Sequence, residues 1–140
     1  MKVFLDANVL ISVLNKEYPV FSYSSRILSV ASSLNIRLYT SPACLAIAFY
    51  FSEKKSGRAA AKNKIAILCN HLGITVMDKE VLEMAIRDKK VLDLEDGLQY
   101  YSALGSGCDL IITEDRKDFY FSEIDVLDSR SFFERYLKTS

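Results

Sequence analysis

The sequence contains few residues of the two types that transition metals favour as ligands, histidine and cysteine. There is one histidine, His71, and three cysteines, Cys44, Cys69 and Cys108, which lie far apart without metal-ligand spacing. An odd number of separated cysteines beside apolar or small residues favours buried, reduced thiols, which are typical of a cytoplasmic protein. His71 falls in the last turn of a predicted helix, where we expect it to interact with the helix dipole and to have no catalytic role.

The sequence also lacks an excess of charge, long apolar runs and flexible linkers. Its 18 basic and 18 acidic side chains balance, so any nucleic-acid binding must come from a local patch. No apolar segment approaches the length of a membrane span, and no cationic leader precedes one, so we expect no membrane partner. With 140 residues, half of them hydrophobic, the chain is predicted to form one domain over residues 1–140.

What the sequence does contain is a regular alternation of short apolar strands and helices. The predicted strands are Lys2–Leu5, Arg37–Thr40, Thr75–Met77, Leu110–Thr113 and Asp125–Leu127. The predicted helices are Asn8–Leu14, Ser22–Leu34, a helix opened by Ser41-Pro42, Arg58–Leu72, Lys79–Ile86, Leu94–Leu104 and Ser129–Leu137. This order predicts an α/β fold, a three-layer sandwich with a central parallel sheet and helices on both faces.

Acidic residues follow two of these strands and open one of the helices. Asp6 comes directly after the first strand, and Asp115 and Asp118 come after the fourth. Asp93 and Asp96 stand at the start of the sixth helix. Because ligands of open α/β sheets bind at the carboxyl ends of the strands, we expect these carboxylates to converge at one edge of the sheet.

A group of carboxylates at one edge predicts a divalent cation. The carboxylates would repel one another, and burial would favour their neutral forms, unless a cation or hydrogen bonds compensate. Oxygen donors without histidine or cysteine favour magnesium or manganese. Such an ion lowers the pKa of a bound water and stabilises charge on a phosphoryl group, so the pattern favours phosphodiester hydrolysis.

Each acidic cluster also has a purely structural interpretation. Asp93 and Asp96, three residues apart, fit the N-cap and N3 positions of a helix, where the dipole favours acids. Asp115 and Asp118 fit local Asx turns. Asn8 fits a helix cap, with the carboxylate two residues before it accepting backbone hydrogen bonds. From the residues alone both interpretations stay open.

Four blocks of the sequence together resemble a PIN domain. They read V-F-L-D-A-N-V-L-I, Y-T-S-P-A-C-L, D-L-E-D-G-L-Q-Y-Y-S-A-L and I-I-T-E-D-R-K-D-F. The resemblance runs from Lys2 to about Phe133, and the third block is similar to the bacterial branch that includes VapC-type toxins. It implies a PIN-like central parallel sheet of about five strands and a magnesium- or manganese-dependent ribonuclease. It also implies an RNA substrate and an antitoxin partner.

The resemblance assigns roles to individual residues. The positions that match the family's metal-binding acids are Asp6, Asp96 and Asp115, with Asp118 in the same last acidic block. Thr113 matches a hydroxyl that hydrogen-bonds near the site, Asn8 is expected to orient Asp6, and Asp93 is expected to support the site.

One position departs from the pattern of the family. Members carry glutamate, or in related bacterial proteins asparagine, in the helix after the Ser-Pro turn, and counting from Ser41-Pro42 places Ile47 there. Glu53 lies six residues further on and points to nearly the opposite face of the helix, so it does not replace the missing group. The departure predicts weaker metal binding or lost turnover.

Two alternatives to an active ribonuclease follow. The first is a catalytically weakened PIN-like module that binds RNA or a protein partner, and Ile47 motivates it. The second is a magnesium phosphohydrolase acting on small phosphate esters. It has little support, because no Gly-rich phosphate cradle follows any predicted strand.

Basic and aromatic residues complete the candidates. The local basic concentration consists of Lys54, Lys55, Arg58, Lys62 and Lys64; it fits either a solvated helix face or a surface that contacts RNA phosphates. The aromatic residues Tyr100, Tyr101 and Phe119-Tyr120-Phe121 are interpreted as core or interface residues rather than as base-stacking platforms. Exposed aromatics would suit a homodimer.

Overall fold

The computed structural model describes residues 1–138, so the last two residues of the predicted domain lie outside the described range. The strands in this range are β1 (Lys2–Leu5), β2 (Arg37–Thr40), β3 (Gly73–Ile74), β4 (Leu110–Ile112) and β5 (Asp125–Leu127). Its helices are α1 (Ala7–Leu14), α2 (Val20–Val30), α3 (Pro42–Ser56), α4 (Arg58–Cys69), α5 (Lys79–Arg87), α6 (Leu94–Gly105) and α7 (Ser129–Phe132). Short 3-10 turns at Ser32–Leu34 and Arg116–Phe119 and a π-helical turn at Phe133–Leu137 complete this regular structure. None of the helices described over residues 1–138 combines the length and the hydropathy needed to cross a membrane.

The strands form one parallel sheet in the order β3-β2-β1-β4-β5. β1 is central, because Val3 pairs with Leu38 of β2 on one side and with Leu110 of β4 on the other. Val3, Phe4 and Leu5 are fully buried, as expected for a strand in a sheet that helices cover on both faces. The predicted α/β fold with a five-stranded parallel sheet flanked by helices is confirmed.

The third strand is shifted from the predicted range Thr75–Met77. β3 lies against β2 at Gly73, where a Cβ would lie 2.3 Å from Cε2 of Tyr39, so the absence of a side chain lets this strand lie beside that ring. Thr75 is instead buried in the loop that follows, and its hydroxyl hydrogen-bonds with Ser102 of α6 at 2.6 Å. These tertiary contacts leave no trace in the local apolar pattern, so the predicted strand was wrong.

Two predicted helices end earlier than expected. The range Ser22–Leu34 divides into α2 and a 3-10 turn, which is followed by Asn35 in the left-handed conformation with φ 62°. Asparagine tolerates this conformation better than most residues. The range Arg58–Leu72 ends at Cys69, so His71 lies in the turn beyond α4 rather than in a last helical turn. His71 is therefore not in the last turn of a helix, where its interaction with the helix dipole was predicted.

Three helices begin at the carboxyl edge of the sheet. α1 begins directly after β1, and α3 begins directly after β2. Ser41 caps α3, because its Oγ accepts a hydrogen bond from the Cys44 amide at 3.0 Å, and proline occupies the first helical position. α6 ends beside the start of β1, where Lys2 Nζ donates to the Ser106 carbonyl at 3.4 Å. The other end of α6, which carries Asp93 and Asp96, therefore points toward the edge at which Asp6 lies.

Candidate functional site

Asp6 is held at the end of β1 by hydrogen bonds to both of its carboxylate oxygens. Oδ1 accepts from the Ala7 amide at 2.8 Å, so Asp6 caps α1, and Oδ2 accepts from the Thr113 hydroxyl at 2.8 Å. The Asp6 amide donates to the Ile112 carbonyl at 3.0 Å, which ties the ends of β1 and β4 together. Burial raises the pKa of Asp6, the hydrogen bonds from Thr113 and Ala7 lower it, and the negative charge of Asp118 raises it further.

Thr113 and Asn8 join the two strand ends around Asp6. Asn8 Nδ2 donates to the Thr113 hydroxyl at 3.2 Å, and Asn8 Oδ1 accepts from the Glu114 amide at 3.1 Å. The Thr113 hydroxyl also accepts from the Asp115 amide at 3.1 Å. The structure therefore brings the predicted supporting residues together with Asp6, and Asn8 acts on Asp6 through Thr113 rather than by direct contact.

The acids at the start of α6 face the same region. Asp93 caps α6, because its Oδ1 accepts from the Asp96 amide at 3.1 Å. Burial, together with the negative charges of Asp118, Asp93 and Asp6, raises the pKa of Asp96 to about 7. The pKa of Asp118 is raised by burial and by the charges of Asp115 and Asp93. Acids from three separate segments thus act on one another electrostatically, as the sequence predicted.

The acids that follow Thr113 differ in their contacts. Asp115 is exposed at the start of the 3-10 turn Arg116–Phe119, where its side chain makes no capping hydrogen bond, so the Asx-turn interpretation does not account for it. Glu114 turns away from Asp6, because its Oε2 accepts from the amide of Ser129 at 3.0 Å and from the hydroxyl at 2.7 Å. Glu114 therefore anchors the start of α7, and Asp115 stays available at the edge.

The carboxylates around Asp6 lack a cationic partner within the described chain. The ion pairs of residues 1–138 lie elsewhere, at the α3–α4 junction, on α5 and in the closing helical segment. Over the same residues, no three histidine, cysteine or acidic side chains come close enough together to hold a metal ion. Oxygen donors that raise the pKa values of one another fit a hard divalent cation chemically. The side chains would have to approach one another to ligate it.

α3 brings a thiol to Asp6 in place of an acid. Cys44 Sγ lies 3.7 Å from Asp6 Oδ1 and donates to it. Burial and the charge of Asp6 raise the pKa of Cys44 to about 12, which keeps the thiol protonated. Ile47, one helical turn further on, packs against the core. The sequence predicts Cys44 only as a buried thiol, although its place three residues before Ile47 puts both on one helix face.

A buried hydrogen bond joins α3 to α6 beside the acids. The Ser41 hydroxyl donates to Gln99 Oε1 at 2.5 Å, and both side chains are buried. Ser41 Oγ at the same time accepts from the Cys44 amide, so one hydroxyl positions the start of α3 relative to α6. Gln99 was not identified from the sequence. Its signal was the three-residue spacing from Asp96, which puts the two side chains on one face of α6.

The structure places the predicted basic cluster away from Asp6. Lys54 follows Cys44 by ten positions on α3, which corresponds to about 15 Å along the helix axis. Arg58 pairs with Glu53 at 3.0 Å, and Lys55 Nζ donates to the Asn15 carbonyl at 2.5 Å. The other members are Lys54, which lies over the Tyr50 ring, Lys62, which is exposed on α4, and Lys64, which contacts the Leu14 carbonyl and Ser56.

The aromatic residues are mainly part of the core, as predicted. Tyr100, Phe119 and Phe121 are buried, and the Tyr100 and Phe121 rings pack edge to face with centroids 5.1 Å apart. Tyr101 donates to Asp88 at 2.7 Å. Tyr120 is the exception, because 58% of it is exposed while its hydroxyl contacts the Lys90 carbonyl.

Comparison with known proteins agrees with this architecture. A family model described as the PIN domain matches residues 2–117. Ribonuclease VapC1 of Aquifex aeolicus (strain VF5) is 33% identical over 139 residues, which cover 96% of this chain and 95% of that protein.

Solved structures with 15–18% sequence identity share the fold. One such structure is VapBC2 from Rickettsia felis, which is bound to a DNA fragment from the VapBC2 promoter. It superposes with a TM-score of 0.70 at 18% sequence identity, and the match covers 91% of this chain and 98% of that chain. VapBC-1 from nontypeable Haemophilus influenzae superposes with a TM-score of 0.70 at 18% sequence identity, and the match covers 93% of this chain and 99% of that chain. Mycobacterium tuberculosis VapC20 is described as a Sarcin-Ricin loop cleaving toxin. It superposes with a TM-score of 0.66 at 15% sequence identity, and the match covers 87% of this chain and 98% of that chain. The family match and the curated relative carry the assignment, and these structures add the common fold: the chain belongs to the PIN domain family and, within it, to the VapC-type branch.

Proposed function

We propose that this protein is a metal-dependent endoribonuclease that hydrolyses RNA phosphodiester bonds, and that it is the toxin component of a toxin–antitoxin pair. The observation that carries the proposal is the group of carboxylates at the sheet edge around Asp6. Burial and neighbouring acids raise the pKa values of Asp6, Asp96 and Asp118, and these three have no cationic partner in the described residues. The similarity to a ribonuclease over nearly the whole chain supports the reaction class.

The residues of the site have separate tasks in this proposal. The acids that would hold magnesium or manganese are Asp6, Asp96, Asp115 and Asp118, and the ion would supply a Lewis acid and a more acidic water. Thr113 fixes one oxygen of Asp6 by its hydroxyl, and Asn8 fixes Thr113. Asp93 holds the first turn of α6 and so the direction of Asp96. Cys44 donates to the second oxygen of Asp6 without adding negative charge.

Substitution of Asp6 tests this function directly. Asp6→Asn keeps the size of the side chain and one acceptor oxygen, so we expect a folded protein whose cleavage of single-stranded RNA in Mn²⁺ or Mg²⁺ is abolished. Glu80→Gln, which removes an exposed carboxylate on α5, is the matched control and should cleave like the parent protein. Circular dichroism and melting temperature verify the fold of both variants. Full cleavage by Asp6→Asn would refute the proposed site.

The alternative function, a weakened module that binds RNA or a protein partner, has two observations in its favour. Ile47 supplies no ligand, and no three ligand-type side chains of residues 1–138 are assembled for a metal. Calorimetric titration separates the two functions. Binding of Mn²⁺ or Mg²⁺ below millimolar concentration, lost in Asp6→Asn, supports the enzyme; absence of binding at millimolar concentration supports the module.

The remaining partner assignments follow from the proposed family role. An antitoxin protein and an RNA substrate are its proposed partners, and a homodimer in the cytoplasm is its proposed state. Phosphate contacts by Lys54, Lys55, Arg58 and Lys62 stay a prediction. Light scattering on the purified chain measures the oligomeric state, and co-expression with the product of the neighbouring gene tests for the antitoxin.

A further inference from the structure

A groove of about 980 Å³ lies beside the acidic site, along the outer side of the sheet. Its walls are the 3-10 turn Arg116–Phe119, the strand β5 and Arg135 of the closing π-helical turn. Asp115 and Asp118 line the groove, and Asp118 is close enough to Asp6 for its charge to raise the pKa of Asp6. We call it the edge groove, because β5 is the last strand of the sheet and the backbone groups on its outer side have no strand partner.

Three cations of the edge groove have no partner within residues 1–138. Arg116, Lys117 and Arg135 are exposed, and among the described residues they make neither an ion pair nor a side-chain hydrogen bond. Two acids besides Asp115 and Asp118 line the groove. Ser129 satisfies the Glu114 carboxylate, and Asp125 of β5 is exposed and makes no ion pair with these cations. The cations therefore remain available to an anion from outside the chain.

The cations stand where an RNA-cleaving site needs them. The carboxylates around Asp6 repel a polyanion, and only nearby positive charge can hold its backbone against that repulsion. Arg116 and Lys117 lie between Asp115 and Asp118 in the sequence and line the same groove as these two acids. In the predicted basic cluster on α3 and α4, Arg58 pairs with Glu53 and Lys55 donates to the Asn15 carbonyl, so these two cations are already engaged.

We propose that the edge groove holds the single-stranded RNA on one side of the scissile phosphate, with Arg116, Lys117 and Arg135 contacting its phosphates. This proposal rests on the proposed ribonuclease function and adds the surface that binds the substrate. Arginine pairs its planar fork with phosphate oxygens, whereas lysine acts as a point charge. Phosphate contacts position a strand without reading its bases. The groove therefore supplies affinity and register, and sequence preference has to come from other residues.

Binding measured without catalysis tests this proposal. Fluorescence anisotropy of a fluorescein-labelled oligouridine with the full chain in EDTA reports affinity, so the result does not depend on metal or turnover. Arg116→Ala, Lys117→Ala and Arg135→Ala should each weaken binding about threefold or more and reduce the slope of log affinity against log salt by about 0.7, the value for one lost phosphate contact on a single strand. Arg135→Lys should restore most of the affinity, and Arg135→Glu should weaken binding beyond Arg135→Ala.

A cation at the opposite end of the sheet is the matched control. Arg37 is exposed at the first position of β2, and we expect Arg37→Ala to change neither affinity nor salt slope. An equal loss in Arg37→Ala, or groove variants with unchanged affinity and melting temperature, would overturn the proposal. Losses confined to Lys54→Ala and Lys62→Ala would overturn it too, because they would assign the phosphate contacts to the predicted basic cluster. Failure of the parent protein to cleave RNA in Mn²⁺ would instead overturn the ribonuclease function, because the binding assay contains no metal.

Discussion

Replacing Asp96 by asparagine should stabilise the protein at neutral pH at the expense of metal binding. In the folded state burial and neighbouring acids raise the pKa of Asp96 from 3.8 to about 7, whereas in the unfolded chain it ionises near its ordinary value. The folded state therefore binds a proton more tightly. The stability contributed by that proton is complete below about pH 4 and is lost as the pH rises to about 7.

The magnitude follows from the size of the shift and from solvent access. A rise from 3.8 to about 7 would correspond to roughly 4 kcal/mol for a fully enclosed group. Solvent reaches the half-buried Asp96 and screens its charge, so we expect about 1 to 2 kcal/mol. Loss of the favourable interaction of Asp96 with the start of α6 costs about 0.5 kcal/mol. The net result is an increase in melting temperature of roughly 2 to 6 °C above pH 7.

Thermal denaturation of parent and variant over a series of pH values checks this reasoning. We expect the two melting temperatures to coincide near pH 4, to separate as the pH rises and to keep a constant difference above about pH 7. Addition of Mn²⁺ at neutral pH should raise the melting temperature of the parent protein and leave Asp96→Asn almost unchanged, while Glu80→Gln should follow the parent throughout. A difference that does not vary with pH would refute the account.

Three further substitutions test individual contacts. Thr113→Val removes a buried hydroxyl that donates to Asp6, and it should lower the free energy of unfolding by about 1–3 kcal/mol in urea titrations, whereas Thr113→Ser should retain most of it. Gln99→Leu leaves the Ser41 hydroxyl without its acceptor and should cost a similar amount, about 1–3 kcal/mol, with Gln99→Glu less affected. Ile47→Glu should tighten Mn²⁺ binding in calorimetry if α3 lacks a ligand, and unchanged affinity would show that the position does not reach the ion.

Features set by neighbours in the sequence were the ones that could be predicted. The strands β1, β2 and β5 have their predicted bounds, because each is a short apolar or β-branched run with turn residues or a helix cap beside it. Ser41 and Asp93 cap helices as their side chains suggest. The gathering of acids at one edge also followed, because parallel strands have to end on the same side of the sheet.

Features that depend on distant neighbours could not be predicted. The position of β3 depends on the ring of Tyr39, and the environment of Asp6 depends on Cys44, which is 38 positions away. The bond between Ser41 and Gln99 joins helices separated by 58 positions. The predicted basic cluster ended far from Asp6 because α3 continues to Ser56, a length that the sequence pattern did not specify.

The central place of β1 has a consequence for when the protein can become active. The middle strand of the sheet precedes the other four strands in the described chain, and the hydroxyl that holds Asp6 lies 107 residues after it. Until Thr113, Asp115 and Asp118 have been synthesised, the nascent chain carries Asp6 without the neighbours that complete the site. The site around Asp6 therefore cannot form while the chain between Asp6 and Thr113 is still being translated.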